Sequence, residues 1–513
     1  MFKISQTKPP PNGVPEVRRQ PNPNGVPSYS PGLPESARAT LGSFMIENTT
    51  LKGLHKTFST TTAMHRLLLA FFILHSTFYI SSRASDSERE SVRAILQRIS
   101  HHQIHPLADG DNAPVSTLAA LEAARPPAGI SWNYPWGVTL TGLIRASDYL
   151  DDKSALDFVI QHNHIIARHY AFLSASEKKI AAAAPSTNAD PNATGAAAPH
   201  STFSILHSSL GGKAAAISGL LRLGNLDSCG AMGVQTLEAI LRHPDRAIPE
   251  QKAIIERIAD WVVNKQERLP DGTFWRPNST DGDRTFNVPP EWPKGTIWID
   301  DLYMGGVFLV RYYQYTHDPR HLTDAARQII AMAAFVQDTD GLWFHGYSVP
   351  LKKHSPVKWA RANGWAIVAT VETLTVMPED HPLRPQLLAI LRRHIDGLKA
   401  TQTPNGLWRQ VLDAPALWEE TSSTAMFAYA IARAANRGWI PPENLAIARR
   451  AFAAIAANYI TPDGQVNGTC RGTNIAQTPA YYAARPRPDD ELHGRGVVLL
   501  AGTELLASPR LVP

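Results

Sequence analysis

Two cysteines in 513 residues, Cys229 and Cys470, are too few for a disulfide framework. They permit one bridge in an oxidising compartment, and no Cys/His spacing of the zinc kind accompanies them. Phosphate-binding loops and the dinucleotide fingerprint are missing too, so neither a cofactor nor a metal is expected. Long apolar runs are scarce. Leu67 to Ile80 falls short of the ~20 residues that span a bilayer, and stable membrane insertion is not expected. No segment alternates convincingly with the period of a strand. An excess of one charge is also lacking where it would matter. The net charge is +5, but residues 1–85 hold nine Lys and Arg against three Asp and Glu, leaving −1 for the remainder. The body of the chain is therefore no candidate for binding nucleic acid or an anionic membrane surface.

What is present begins with a leader. Residues 1–63 are rich in Pro, Ser and Thr, with "PNGVP" at Pro11–Pro15 and again at Pro23–Pro27. Such a stretch buries too little apolar surface to offset its ordering entropy, and disorder is expected. Met64, His65 and Arg66 then precede the apolar run, and Ser82-Arg83-Ala84 places small residues before Ser85. This is the layout of a secretory signal over 64–84, with translation starting at Met64 and a periplasmic or secreted product. Residues 85–513 are read as one domain, interrupted by a low-complexity, flexible insertion at Ala181–Ser201.

The domain reads as helix after helix. Apolar periodicity marks twelve segments: Ser87–Ser100, Gly137–Leu150, Ser154–His169, Ala231–Arg242, Glu250–Lys265, Asp300–Thr316, Pro319–Asp338, Ala362–Val376, Leu383–Ala400, Glu420–Asn436, Glu443–Tyr459 and Gly494–Leu506. Twelve helices make six hairpins, and the expectation is an all-α fold, an (α/α)6 barrel. Aromatic and polar clusters stand ahead of alternate helices: "SWNYPWG", "LDSCGAMG", "TIWIDDLYMGG", "WARANGW", "WEETSSTAM" and "HGRG". If alternate helices form an inner ring, these clusters converge at one end of it, where a pocket belongs.

Two of the clusters carry chemistry on their face. In "KWARANGW", Arg361 lies between Trp359 and Trp365. A guanidinium pairs with a carboxylate and an indole stacks on a sugar ring, so the trio suits an anionic sugar. The same residues also suit an arginine stem packed on core indoles. In "WIDDLYM", Asp300 and Asp301 open a helix, where neighbours point about 100° apart. Both therefore cannot face a pocket equally.

Taken together and in this order, "WIDDLYM", "WARANGW", "GLWRQVLD" and "EETSSTAMFAYA" resemble the glycoside hydrolase family 88/105 group, the unsaturated glucuronyl and rhamnogalacturonyl hydrolases. The resemblance runs from about Trp132 to Leu506. It implies removal of a 4,5-unsaturated uronic acid from lyase-generated oligosaccharides, with unsaturated rhamnogalacturonan from pectin as the first expectation. The reaction it implies is hydration of a vinyl ether, which needs one acid/base carboxyl and not the spaced pair of an ordinary glycosidase. That carboxyl falls on Asp300. The resemblance places a second carboxylate at Asp227, to orient substrate or water and to tune Asp300. It places sugar contacts at Arg361, Trp359, Trp365, Tyr134 and His345, and Trp298, which flanks the acid, is expected to contact the substrate too. One departure stands out: "DGTFWRPNST" holds Trp275 and Arg276 where many rhamnogalacturonyl members carry a histidine. The same barrel also serves epimerases, which would want a histidine pair such as His345 and His493, and it serves sugar-binding proteins without catalysis.

Overall fold

The computed structural model describes residues 85–105, 117, 129–183, 218–221, 223–277 and 294–508, all within the unit Leu68–Pro513. The extension 1–63, the leader 64–84 and the insertion beyond residue 183 lie outside the described residues. Among those described, twelve helices have nine residues or more, one on each expected segment. They are α1 (Asp86–Gln103), α2 (Tyr134–Ala146), α3 (Ser154–Ala183), α4 (Gly230–Arg242), α5 (Glu250–Asp260) and α6 (Phe308–Thr316). The rest are α7 (Pro319–Val336), α8 (Ala360–Val376), α9 (Arg384–Thr401), α10 (Thr421–Asn436), α11 (Leu445–Asn458) and α12 (Leu492–Ala507). Their starts show ordinary capping chemistry. Ser85 accepts the Glu88 N–H at 3.1 Å, and Asn133 accepts that of Trp136 at 3.0 Å.

Two kinds of helix alternate. α7 buries Leu322, Ala325, Ala326, Ile329, Met332, Ala333 and Val336, a single stripe at helical spacing. α8 buries every residue from Ala360 to Leu374. A helix buried on all faces is surrounded, and α8 belongs to an inner ring of α2, α4, α6, α8, α10 and α12. Each packs on the next, and α12 returns to α2. The odd-numbered helices form the outer layer and carry the chain back, so all inner helices run the same way. This is an (α/α)6 barrel. Closure depends on two glycines. A Cβ on Gly142 would lie 2.7 Å from the Gly496 carbonyl oxygen, and one on Gly496 would lie 2.4 Å from the Val138 carbonyl carbon. Backbones this close leave no room for a side chain.

The inner helices hold an unexpected feature. Each contributes one buried or nearly buried charge, in alternating sign: Arg145, Glu238, Arg311, Glu372, Arg433 and Glu504. Neighbours pair around the ring. Arg145 to Glu238 is 2.9 Å, Arg311 to Glu238 is 2.5 Å, Arg433 to Glu372 is 2.9 Å and Arg433 to Glu504 is 2.7 Å; Arg311 also contacts Glu372. Arg145 reaches across to Glu372 at 3.0 Å. Polar groups in an apolar barrel are tolerated because each finds its opposite.

Three short strands, absent from the sequence reading, are also present. β1 (Thr296–Trp298), β2 (Gly346–Ser348) and β3 (Lys353–His354) form an antiparallel sheet in that order, with Thr296 opposite Ser348 and Trp298 opposite Gly346. Strands of two or three residues are too short to register a period of two. The sheet feeds directly into Asp300. Cys229 and Cys470 are both free and buried, so the bridge that the sequence permitted is not formed.

Candidate active site

All six motif clusters meet at the N-terminal end of the inner ring. Tyr134 opens α2, Asp227 lies just before α4, and Asp300 precedes a π-helical turn (Leu302–Val307) that runs into α6. Trp359 caps α8, Glu420 caps α10, and His493 is in the first turn of α12. Six helix N-termini aimed at one region make it favourable for negative charge.

The structure sorts the adjacent acids as the helical angle requires. The Asp301 side chain is fully buried in the fork of Arg276, whose Nε and Nη2 donate to it at 3.0 and 2.5 Å. Asp300 keeps 14% of its side chain exposed, and its Oδ2 lies 3.4 Å from Nε2 of His345. Burial would raise the Asp300 carboxyl, but His345 and then the charge of Arg276 outweigh it and hold it below its ordinary value. Asp301 goes the other way. Burial, helped by the neighbouring Asp227 and Asp300, pushes it up to about 6 against the pull of Arg276.

His345 is buried between the faces and edges of other rings. Trp359 lies 4.5 Å away and Trp298 lies edge-on at 5.8 Å. Its Nδ1 is 2.8 Å from the Tyr482 hydroxyl, which also accepts the Ala476 N–H at 3.0 Å. The Asp300 carboxylate faces Nε2, which assigns the proton of His345 to Nε2 and leaves Nδ1 to accept from the Tyr482 hydroxyl. Burial lowers the His345 pKa, so the ring is neutral and pulls on Asp300 as an N–H dipole. Neither Asp300 Oδ2 nor His345 Nε2 has a well-formed hydrogen bond.

Asp227 is 31% exposed, and Arg276 grips it with Nη1 and Nη2 at 3.0 Å each. Arg276 is itself fixed. Its backbone exchanges hydrogen bonds with Thr296 of β1 at 2.9 and 3.1 Å, and its guanidinium lies 4.8 Å over the Trp298 ring. Opposite, the Tyr134 hydroxyl lies 2.5 Å from His493 Nε2, and His493 Nδ1 lies 2.7 Å from Glu491. Burial and then the charge of Arg361 lower His493 to about 4, so this ring is neutral as well.

Three of the expected sugar contacts lie deeper than the sequence suggests. The Arg361 guanidinium is only 1% exposed. Nη1 donates to the Cys470 carbonyl at 2.8 Å and to Ser422 at 3.2 Å, Nη2 donates to the Arg471 carbonyl at 2.7 Å, and Glu420 is 3.6 Å away. It stacks over Trp359 at 4.8 Å, as the packed-stem reading has it. Trp359 and Trp365 are not open stacking faces either. Both are buried; Trp359 donates to Gln410, and Trp365 packs on Tyr303 at 4.7 Å. The local spacing places these three together correctly, but the Cys470–Arg471 segment that occupies the cation lies about 110 residues further on. Tyr482 and Glu491 escaped the sequence reading because each acts through a histidine distant in sequence or turned by the fold. Arg276 was visible only as a departure. Among the described residues, no group of three or more His, Cys, Asp or Glu is placed to hold a metal, and no helix is long and apolar enough to cross a membrane.

Comparison with known proteins adds to this geometry. Residues 122–508 match the family model described as Glycosyl Hydrolase Family 88. Protein Atu3128 of Agrobacterium fabrum is 36% identical over 236 residues, 40% of this chain and 100% of that protein. The unsaturated rhamnogalacturonyl hydrolase YesR of Bacillus subtilis is 25% identical over 255 residues, covering 49% of this chain and 70% of its own length. A crystal structure from Klebsiella pneumoniae, described as a possible member of the GH105 family, superposes with a TM-score of 0.59 at 20% identity. It covers 83% of this chain and 94% of that one, a likeness of fold.

Proposed function

The chain belongs to glycoside hydrolase family 88 and is a glycoside hydrolase, and from that premise we propose that it removes a 4,5-unsaturated uronic acid from the non-reducing end of an oligosaccharide by hydrating the C4=C5 double bond. The observation that carries this is the state of the pocket carboxyls. Asp301 and Glu420 are buried and engaged, Asp227 is held in a fork, and Asp300 alone combines exposure with an unmade hydrogen bond. One acid/base group suits a vinyl ether.

Protonated Asp300 gives its proton to C4, and positive charge develops at C5, shared with the ring oxygen. Water adds at C5 and returns a proton to the Asp300 carboxylate. The hemiketal then opens to a ketone, leaving C1 as a hemiacetal that expels the neighbouring sugar. The Nε2–H of His345 steadies the carboxylate after it has given up its proton. Asp227 orients the water, and Tyr134, backed by His493, lines the facing wall. Arg361 contributes through its field, with the helix N-termini, to holding the uronide's carboxylate. Asp300 begins low, and the arriving substrate carboxylate raises it.

Pectin-derived rhamnogalacturonan fragments are the substrate this reading favours, supported by the named activity of the Bacillus subtilis relative. Export follows from the leader at 64–84, and N-terminal sequencing of the secreted or periplasmic protein should begin at Ser85; a start elsewhere would remove that assignment. The activity is tested by following loss of the ultraviolet absorbance of the conjugated uronate in lyase digests of pectin, ulvan and chondroitin. Wild type should bleach one digest, and Asp300→Asn should be slower by about 10²–10⁴-fold. Equal rates for both, or no bleaching of any digest, would overturn the reading.

A further inference from the structure

We propose that Arg276 is a positioning residue that sorts the three pocket carboxylates, withdrawing Asp301 from the chemistry and aiming Asp227 at the substrate so that Asp300 alone exchanges protons; this rests on the role given to Asp300 above. One edge of the guanidinium, Nε and Nη2, meets Asp301, and the edge formed by Nη1 and Nη2 meets Asp227. Its flat face lies on Trp298, and its backbone is pinned to β1 two residues before that indole. The group is thus fixed in position, in plane and at both edges before any substrate arrives. A planar fork with two usable edges is what one cation needs to hold two carboxylates in separate, fixed directions, and an ammonium has no such edges.

The reason the pocket needs this is its charge. Asp227, Asp300 and Asp301 crowd one wall, and three unassisted carboxylates would share protons among themselves. The groups that act electrostatically on Asp300 or feel its charge are His345 and Tyr482 from one side, Tyr134 and Arg361 from another, and Asp301 and Arg276 from the third, with Asp227 acting on Asp301. Of the cations among these, Arg361 is taken up by backbone carbonyls and Glu420, and His345 is neutral. Arg276 alone touches the acids.

The test compares Arg276→Lys, which keeps the charge and loses the fork, with Arg276→Gln, which loses both. For Arg276→Gln, kcat should drop about 10–100-fold with KM changed less, and the fall of kcat/KM with rising pH should move to higher pH, since a positive neighbour of Asp300 is gone. Arg276→Lys should restore the pH limb but not kcat. Should both variants fail to fold, Asp227→Asn decides: it frees Arg276 of one partner, and the limb should move to lower pH. An unmoved limb in folded Arg276→Gln would show a merely structural role. Carboxyl-carbon NMR titration of Asp300 in the same proteins reads the same displacement without turnover. Failure of the proposed reaction would appear as inactive wild type and would leave that titration to decide on Arg276.

Discussion

Replacing Glu372 by glutamine removes one charge from the middle of the alternating ring. Glu372 is almost wholly buried and accepts from Arg145 through Nη1 and Nη2, both at 3.0 Å, from Arg433 at 2.9 Å, and from Arg311 and the Tyr429 hydroxyl. Glutamine has nearly the same shape, so packing survives. Its amide, however, turns N–H groups towards guanidinium N–H groups, and three arginines are left with Glu238 and Glu504. Breaking a buried pair by removing one partner costs about 3–5 kcal/mol. At the roughly 2 °C per kcal/mol of larger domains, the melting midpoint should fall by about 6–10 °C. Glu372 lies twelve residues from the start of α8, roughly 18 Å along its axis from the pocket end, so kcat of the folded variant should hold. Circular dichroism melts, followed by turnover at a temperature where both proteins are folded, would measure the two effects.

The pH dependence sharpens this test. Burial would raise the Glu372 carboxyl, but Arg145, Arg311 and Arg433 overcome it and hold the group well below its ordinary 4.5. Its contribution is therefore fully present above pH 4.5 and is lost as pH falls through the depressed folded value. The gap between wild type and Glu372→Gln should narrow in strong acid. A fall below 2 °C at neutral pH, or a gap that ignores acid, would refute the view that the ring's charges hold the inner helices together.

Two further outcomes follow from the site and the fold. The protonated form of Asp300 dwindles as pH rises, so kcat/KM should fall with pH; a bound uronide raises Asp300, so the corresponding limb of kcat should lie at higher pH, and coincident limbs would show that substrate charge does not reach it. Gly496→Ala would ordinarily favour a helix by up to about 1 kcal/mol, but the contact with Val138 should reverse the sign and destabilise by about 1–3 kcal/mol in urea unfolding. A variant as stable as wild type would mean that α2 and α12 separate easily.

The architecture was legible because it is written in local patterns. A stripe at helical spacing, as in α7, states that a helix has one neighbour side, and an apolar run such as α12 states that it is surrounded. Alternation of the two, with polar clusters ahead of the buried kind, is enough to predict a six-hairpin barrel with a pocket at one end. The motif around Asp300 was legible for the same reason: it is contiguous.

Tertiary structure decided whatever depends on partners distant in the chain. Asp300 and Asp301 differ in role because Arg276, 25 positions before Asp301, bridges onto β1 and takes one of them. Sequence leaves Arg361 open between a sugar-facing cation and a packed stem, and the segment at Cys470 and Arg471 decides it by supplying acceptors. The ring of Arg145, Glu238, Arg311, Glu372, Arg433 and Glu504 was six isolated polar residues in six apolar helices, with nothing local to relate them. Periodicity reports which face of a helix is buried, but a charge is tolerated there only by a specific partner, and only closure of the barrel brings the partners together.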